Sequence, residues 1–247
     1  MGFKKAWLLS GYRFDKEEKS IAVLPVGSFE RHGDHLPLGT DTIEAEYVAE
    51  KVAEQLGAHL YPPIWYGCSR SLERFPGTIS IDEERFRAYV EDVLRGIARN
   101  KYKLILIVNG HGGNTNVLKL AAKRVSSETG ATIIIVDWWR DVAQEKRRQL
   151  FSSPGHAGED ETSAMLHIVP EYVDMDKAGD YEAPWFPKLS TYSPRLEELL
   201  YPEAVLGKAS QASAEKGREW LETVIDEITS IVKEIYEKLV KHEQHQA

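Results

Sequence analysis

The sequence predicts an α/β fold in three layers, with a mostly parallel central sheet between two layers of helices. Two observations support this prediction. Short apolar runs alternate with amphipathic segments between residues 21 and 136, and most of these runs end at glycine, asparagine or aspartate. Alternation of strand and helix along a chain is typical of parallel sheets whose crossover helices cover both faces.

Four segments are predicted as strands because they are short, apolar and rich in β-branched residues. The segment that ends at the turn signal Asn109-Gly110 is the clearest of them. Pro62-Pro63 interrupts another and favours an edge position or a bend there. The four predicted strands are residues 21–26, 59–65, 103–108 and 131–136.

Amphipathic helices are predicted after the first three strands, and local signals mark their ends. The first begins near Asp41 and stops before Gly57, because glycine commonly follows the last helical residue. Asp82 is a good N-cap for the second helix, whose apolar stripe runs from 86 to 97. The third runs from about 114 to 129, with Gly130 as its stop.

The pattern becomes less regular after residue 137. Residues 159–168 are predicted as a short helix, and residues 181–202, rich in Pro, Tyr and Trp, as an ordered loop or insertion. A long amphipathic helix follows from about residue 212. Because no repeat, low-complexity segment or linker divides the chain, we expect a single domain over residues 1–247.

Composition excludes several classes of function. The net charge is −8 and there is no basic cluster, so nucleic-acid binding has no electrostatic support. No stretch approaches a membrane span, and no membrane partner is expected. The only cysteine, Cys68, excludes an intrachain disulfide and fits a reducing compartment. We therefore expect a cytoplasmic protein.

The most informative stretch places four potential metal ligands within twelve residues: Glu30, His32, His35 and Asp41. Divalent transition metals bind neutral imidazole and carboxylate. Glu30 and His32 are one residue apart, so an extended segment directs both side chains to the same side. Asp41, at the start of a helix, can bridge two metals through its two oxygens. His35 is a candidate for contact with substrate, with a plain loop role equally open.

Two further clusters carry the same residue types. His111 lies in Gly110-His111-Gly112-Gly113 after the clearest strand, and the N–H groups of Gly112 and Gly113 can cradle an anion or oxyanion. His156 and Glu159 form H-x-x-E, followed by Glu161. One of the two acids can complete a metal shell, and His156 can move protons near neutral pH.

Two other positions are candidates for substrate contact. Trp138 and Trp139 follow the end of a strand, so one of them, for which we take Trp138, can line the site. Arg70 and Arg74 lie in the long loop over residues 67–80 and can contact a phosphate. Together with the three clusters, these residues predict a dinuclear metal hydrolase.

The three clusters resemble the motifs of the creatininase (creatinine amidohydrolase) family. Residues 25–37 with Asp41 match its opening motif, 109–114 its N-G-H-G-G-N motif, and 156–163 its H-A-G-E-x-E-T-S motif; 75–80 are also similar. The resemblance implies an α/β/α fold, two divalent metal ions and a homo-oligomer, often a homohexamer. It assigns metal binding to Glu30, His32, Asp41, His111 and Glu159, with Asp41 bridging.

The resemblance also shapes the expected reaction. Members hydrolyse cyclic or formyl amides, so the chain is expected to cleave a C–N bond of a small amide through a metal-bridging hydroxide. His156 would protonate the leaving nitrogen, with Glu159 as the other catalytic group. The creatinine-specific branch has a carboxylate where Gly113 stands and a tryptophan where Ser152 stands, so we do not expect creatinine to be the natural substrate.

Several alternatives stay open at this point. The substrate can instead be a phosphorylated formylamino-pyrimidine, a precursor in flavin or deazaflavin biosynthesis, with Arg70 on its phosphate. A non-catalytic metal-binding scaffold is the third possibility. The mixed nitrogen and oxygen ligands suit zinc, manganese and iron equally, so the metal is not chosen by the sequence.

Overall fold

A computed structural model describes residues 3–246 of the chain, and the side chains of residues 3–242. The strands are β1 Lys4–Lys5, β2 Ile21–Val26, β3 His59–Leu60, β4 Leu104–Asn109, β5 Thr132–Asp137, β6 Asp180–Tyr181 and β7 Gly207–Lys208. The first five are parallel and form the central sheet, in the order β1-β3-β2-β4-β5. The last two, β6 and β7, form a separate antiparallel ribbon.

Nine α-helices connect and cover these strands in the part of the chain that is described. The predicted short helix and the long C-terminal helix are both present, and the predicted insertion contains a helix of its own. The helices are α1 Gly11–Lys16, α2 Thr40–Leu56, α3 Glu83–Ala98, α4 Thr115–Thr129, α5 Trp138–Asp141, α6 Gln144–Leu150, α7 Glu159–Ile168, α8 Pro194–Leu200 and α9 Ala214–Gln246.

The local signals act as predicted at three helix ends. The Asp82 side chain accepts a hydrogen bond from the backbone N–H of Arg85, which caps α3. Gly57 and Gly130 end α2 and α4 with φ of 63° and 74°, the left-handed conformation that glycine adopts without strain.

The strand expected over 59–65 is shorter than predicted. It ends at Leu60, before Pro62-Pro63, and continues only as an isolated bridge between Ile64 and Val26.

Apolar residues on the two faces of the sheet pack against different helices. On one face, Val23 and Leu106 pack with α2 and α9, including the fully buried Trp220. On the other face, Leu24 and Ile107 pack with α3 and α4. This arrangement confirms the three-layer α/β/α prediction. No helix among the described residues is both long and apolar enough to cross a bilayer.

Three neighbouring strands, β2, β4 and β5, end at the same edge of the sheet, and two of them lead into motifs. β2 leads into the loop that ends at Asp41, β4 leads into Gly110-His111, and β5 leads into Trp138. The third motif comes from α7, which packs against α2 and α9. Ligands of such sheets bind at the carboxyl ends of the strands, so this edge is the expected place for a site.

Candidate metal centre

Asp41 lies at the centre of the site, in the first turn of α2, and is buried. Its Oδ1 is 3.1 Å from Nε2 of His32, and its Oδ2 is 2.9 Å from Nδ1 of His111. The Ser28 hydroxyl donates to Oδ2 at 2.5 Å. Each carboxylate oxygen therefore faces a different imidazole, which is the geometry needed for one side chain to serve two ligand groups.

Two groups of ligand atoms share Asp41. Glu30, Asp41 and His111 form the first, and His32, Asp41 and Glu161 form the second; within each group the atoms lie within 4.8 Å of one another. A third group overlaps both and joins Glu30 and His32 to His156. Imidazole nitrogen with carboxylate oxygen is a donor set that zinc, manganese and iron all accept. The residues present therefore fit two divalent ions held about a common aspartate.

The two ligand histidines carry large pKa shifts. Burial alone would favour their neutral forms, but the carboxylates outweigh it. Asp41 raises the pKa of His32 to about 10, and Glu30 with Asp41 raises the pKa of His111 to about 9. The two imidazoles in turn hold the pKa of Asp41 well below its usual range, against its burial. Without metal, protons neutralise charges that divalent cations would otherwise balance.

Backbone carbonyls orient both histidines. The Nδ1 atom of His32 lies 3.1 Å from the carbonyl oxygen of Glu30, and Nε2 of His111 lies 3.0 Å from the carbonyl oxygen of Cys68. A hydrogen bond at the second ring nitrogen fixes which nitrogen faces a metal. The backbone carbonyl of Cys68 therefore helps to orient His111. The Cys68 thiol is unreactive, because burial raises its pKa to about 12.

His156 is held differently and stays neutral. Its Nε2 is 2.9 Å from the carbonyl oxygen of Arg31, so Nε2 carries the proton and donates it. Its Nδ1 lies 3.8 Å from Oε1 of Glu30. Burial and the adjacent His32, with ring centroids 4.2 Å apart, lower the pKa of His156 to about 3. The unprotonated Nδ1 is therefore the atom that can accept a proton.

The structure places Glu159, predicted as a metal ligand and catalytic group, away from the ligand cluster. Its Oε1 accepts from Nζ of Lys216 at 2.6 Å, and its Oε2 accepts from the backbone N–H groups of Ser152 and Ser153. Glu161 faces the cluster instead, with Oε2 3.7 Å from Nε2 of His32. Residues two apart on a helix point roughly 200° apart, so only one of these acids can face the cluster.

Glu161 is tuned by its surroundings. Its Oε2 accepts from the backbone N–H of Ala157 at 2.6 Å, which directs it toward the cluster. Burial, with the nearby negative charges of Asp41 and Asp160, raises the pKa of Glu161 to about 8, although His32 opposes this shift. In the metal-free site this carboxyl is therefore protonated at neutral pH, and a bound cation would favour its ionised form.

A cavity of about 360 Å³ opens onto the ligand groups. Glu30, Asp41, His111, His156 and Glu161 all line it. Gly112 and Gly113 also line it, as predicted for the glycine loop. Its other walls come from segments that carry no motif, and their residues include Leu72, Trp139, Arg147, Tyr201 and Leu206.

Three predicted substrate contacts do not line this cavity. Trp138 is 1% exposed and packs in the core against Trp220, and its neighbour Trp139 lines the cavity instead. His35 is buried, and its Nε2 lies 2.9 Å from the hydroxyl of Thr162. Arg70 is exposed on the loop surface, 3.9 Å from the carboxylate of Glu83.

Asparagines hold the loops that carry the ligands. Asn114 donates to the carbonyl oxygen of Gly27 at 2.9 Å and accepts from the N–H of Cys68 at 3.0 Å, joining the loops after β2 and β3 to the glycine loop. Asn109 donates to the carbonyl oxygen of His111 and to Asp137. These contacts fix the relative positions of the loops that carry Glu30 and His111.

Gly113 is required by close packing, which gives a prediction. A Cβ atom there would overlap the carbonyl oxygen of Cys68 and lie 2.5 Å from Nε2 of His111. We expect Gly113→Ala to displace His111, to lower metal content and to destabilise the fold by about 1–3 kcal/mol. Metal analysis and thermal unfolding would measure this. Gly112→Ala is the matched control, since its Cβ would meet only Trp139 at 3.9 Å. Equal loss in both variants would contradict the account.

Paired groups of imidazole and carboxylate ligands around a shared aspartate are typical of dinuclear metal hydrolases. The model of the creatininase family, described as creatinine amidohydrolase, matches residues 11–232. The chain therefore belongs to the creatininase family, as the motifs predicted.

Relatives in this family act on different substrates. The 3-dehydro-scyllo-inosose hydrolase of Thermotoga maritima is 30% identical over 244 residues, covering 88% of this chain and 78% of the relative. The mycofactocin precursor peptide peptidase of Mycobacterium ulcerans is 35% identical over 219 residues, covering 84% and 82%. A formylamino-pyrimidine nucleotide deformylase of Methanococcus maripaludis is 32% identical over 129 residues, covering 48% and 53%.

Solved creatininase structures share the fold. A mutant creatininase of Zn-Zn type superposes with a TM-score of 0.78 and 27% identity, covering 88% of this chain and 91% of that one. A manganese form of creatininase superposes with a TM-score of 0.82 and 26% identity, covering 96% and 99%. Structures of this family thus carry zinc or manganese, and membership supports an amidohydrolase.

Proposed function

We propose that this chain is a metal-dependent amidohydrolase that cleaves the C–N bond of a small cyclic amide or a formamide. The observation that carries the proposal is the pair of ligand groups that share Asp41 and open into one cavity. In this assignment Glu30, Asp41 and His111 would hold one divalent ion. His32, Asp41 and Glu161 would hold the other, with Glu161 replacing Glu159.

The chemistry divides between the ions and the side chains. Divalent ions at such a site activate water at neutral pH and polarise a carbonyl oxygen. Asp41 and Glu30 supply negative charge to hold them, and the carbonyl-bound His32 and His111 keep their free nitrogens directed at the site. The surrounding loops are tied together by Asn114, so the ligands are ordered before substrate binds.

His156 is the group proposed to move the proton. Its Nε2–H is committed to the carbonyl oxygen of Arg31, so Nδ1 is the working atom. Nδ1 can take up the proton that water loses as its oxygen bonds to the carbonyl carbon, and can deliver it to the leaving nitrogen as the C–N bond breaks. The hydrogen bond to Arg31 fixes the tautomer that this exchange needs. Glu159, which points away toward Lys216, has no part in the exchange.

A substrate panel tests the proposal. Chain loaded in turn with zinc, manganese and iron is assayed with cyclic amides, N-formyl amines and short peptides. Turnover of a cyclic amide or formamide is the expected result. A preference for peptides would redirect the proposal toward the chemistry of the mycobacterial relative. Full metal occupancy without turnover of any amide would favour the scaffold alternative.

Metal uptake should release protons, which gives a second prediction. His32, His111 and Glu161 have pKa values of about 10, 9 and 8 in the metal-free site, so all three are protonated at neutral pH. Because cations compete with these protons, zinc affinity should rise by at least about tenfold per pH unit between pH 6 and 8. Calorimetry in buffers of different ionisation enthalpy measures the protons released. Affinity that is independent of pH would contradict the assignment.

One observation supports the deformylase alternative and another counts against it. The partial match to the methanococcal deformylase supports formamide chemistry. Arg70, however, lies outside the cavity beside Glu83, and Arg74 binds the backbone carbonyl oxygens of Ser71 and Tyr201. Neither side chain is placed to hold the phosphate of a substrate at the cluster.

The expected homo-oligomer and the cytoplasmic location stay predictions. Several large apolar side chains between α7 and α9 are exposed, which supports burial of this segment in an assembly. They are Tyr172, Trp185, Phe186, Leu189, Tyr192 and Leu199. Light scattering of the purified chain would give its oligomeric state.

A further inference from the structure

Arg147 occupies a position in the cavity that the proposed reaction does not use. It lies in α6, outside the three motifs, and its side chain is 19% exposed. It is the only arginine or lysine among the described residues that line the cavity. The cavity wall also contains apolar and aromatic side chains, including Trp139, Tyr201 and Leu206.

The guanidinium of Arg147 is held rigidly from one side. Its Nε and Nη2 both donate to Oδ2 of Asp160, at 2.9 and 2.5 Å. Asp160 is 1% exposed, and its Oδ1 accepts from the N–H of Gly155. The ring of Trp220 packs 5.8 Å from the guanidinium carbon. The Arg147 side chain is thus fixed before any ligand enters.

Arg147 still has hydrogen-bond donors to offer. A guanidinium has five N–H groups in a planar fork. Two of them are used by Asp160, and the described residues provide no acceptor for the other three. Lys216 and Arg74 do not line the cavity and are paired with other groups, Lys216 with Glu159 and Arg74 with backbone carbonyl oxygens. Arg147 is therefore a cation at the cavity wall that is already oriented by Asp160 and still has three N–H donors for a ligand.

We propose that Arg147 binds an anionic oxygen group of the substrate, a carboxylate or a phosphate, while the amide lies at the ligand cluster. The inference rests on the proposed function, since it concerns the same cavity. Arginine matches such groups geometrically and forms strong charge-assisted hydrogen bonds with them. Asp160 is then a positioning residue that keeps the fork aimed at the cavity. The substrate class is an amide that carries an acidic group.

Three matched ligands test the proposal by binding alone. N-mesylglycine, its neutral amide and N-mesylaminomethylphosphonate differ only in the terminal group, and their sulfonamide resists hydrolysis. Calorimetry with zinc-loaded wild-type chain should show one or both acids binding about 10- to 100-fold more tightly than the neutral amide. The stronger of the two acids identifies carboxylate or phosphate as the group recognised.

Variants separate Arg147 from the metals as the source of this preference. Arg147→Gln should bind acid and amide equally, whereas Arg148→Gln, at an exposed position of the same helix, should keep the wild-type preference. Because Arg147→Gln leaves the buried Asp160 without its counterion, the double variant Arg147→Gln/Asp160→Asn provides a second test, and it should also show no preference.

The outcomes distinguish this inference from the proposed function. An acid preference that persists in both Arg147 variants would overturn the role of Arg147, as would its absence in the wild type. Failure of the substrate panel with an intact, Arg147-dependent preference would count against amide hydrolysis and leave the anion site standing.

Discussion

Replacement of Asp41 by alanine is expected to remove both metal ions and to lower hydrolysis by at least about a thousandfold. Asp41 is the only residue shared by the two assigned ligand groups, and its two oxygens face His32 and His111 separately. Its loss also leaves two buried imidazoles without their nearest carboxylate. Metal analysis of the dialysed variant and its turnover on the best substrate measure both effects.

The control for this variant lies in the same loop. Asp34→Ala removes an exposed carboxylate whose partner is Arg31, and it should leave metal content and turnover unchanged. If Asp41→Ala kept both ions and its activity, the shared-aspartate assignment would be wrong.

The second large effect separates Glu161 from Glu159. Glu161→Gln should lose one ion and lower turnover by about a hundredfold or more, since Glu161 is the only other carboxylate in the group that His32 forms with Asp41. Glu159→Gln should keep both ions, because its carboxylate is occupied by Lys216, Ser152 and Ser153. Its expected cost is in stability, since Lys216 loses its partner.

Metal content and thermal unfolding of the two variants, side by side, decide between these residues. Loss of an ion in Glu159→Gln, with both ions retained in Glu161→Gln, would show that Glu159 is the metal ligand, as the sequence predicted.

Much of the fold was predictable because local signals and burial agree. The run from Leu104 to Asn109 is apolar at almost every position because helices cover both faces of this interior strand, β4. Asp82, Gly57 and Gly130 mark helix ends by chemistry that does not depend on tertiary structure. The strand at 59–65 was overestimated, because two apolar flanks outweighed the prolines between them.

The site could be predicted at the level of motifs, but not always at the level of the residue. Glu159 and Glu161 are two apart, and the choice between them is made by Lys216, which is distant in sequence. Trp138 and Trp139 are adjacent, and the packing of Trp220 determines which of them is buried. In both pairs the sequence identifies the segment, and a long-range contact selects the side chain.

Cavity walls were harder to predict than ligands. Arg147 and Tyr201 come from α6 and from the segment after α8, and neither lies in a recognisable motif. Tyr201 reaches the site because Arg74 binds its carbonyl oxygen, and its ring packs against His156 with centroids 5.7 Å apart. Such contacts depend on the path of loops that carry no periodic signal.

Metal content per chain decides whether two divalent ions are bound around Asp41. The chain is purified without chelator and analysed by mass spectrometry for zinc, manganese and iron. We expect about two ions per chain, falling to near zero in Asp41→Ala. Near-zero content in the wild type, with no uptake when zinc, manganese or iron is added, would contradict it.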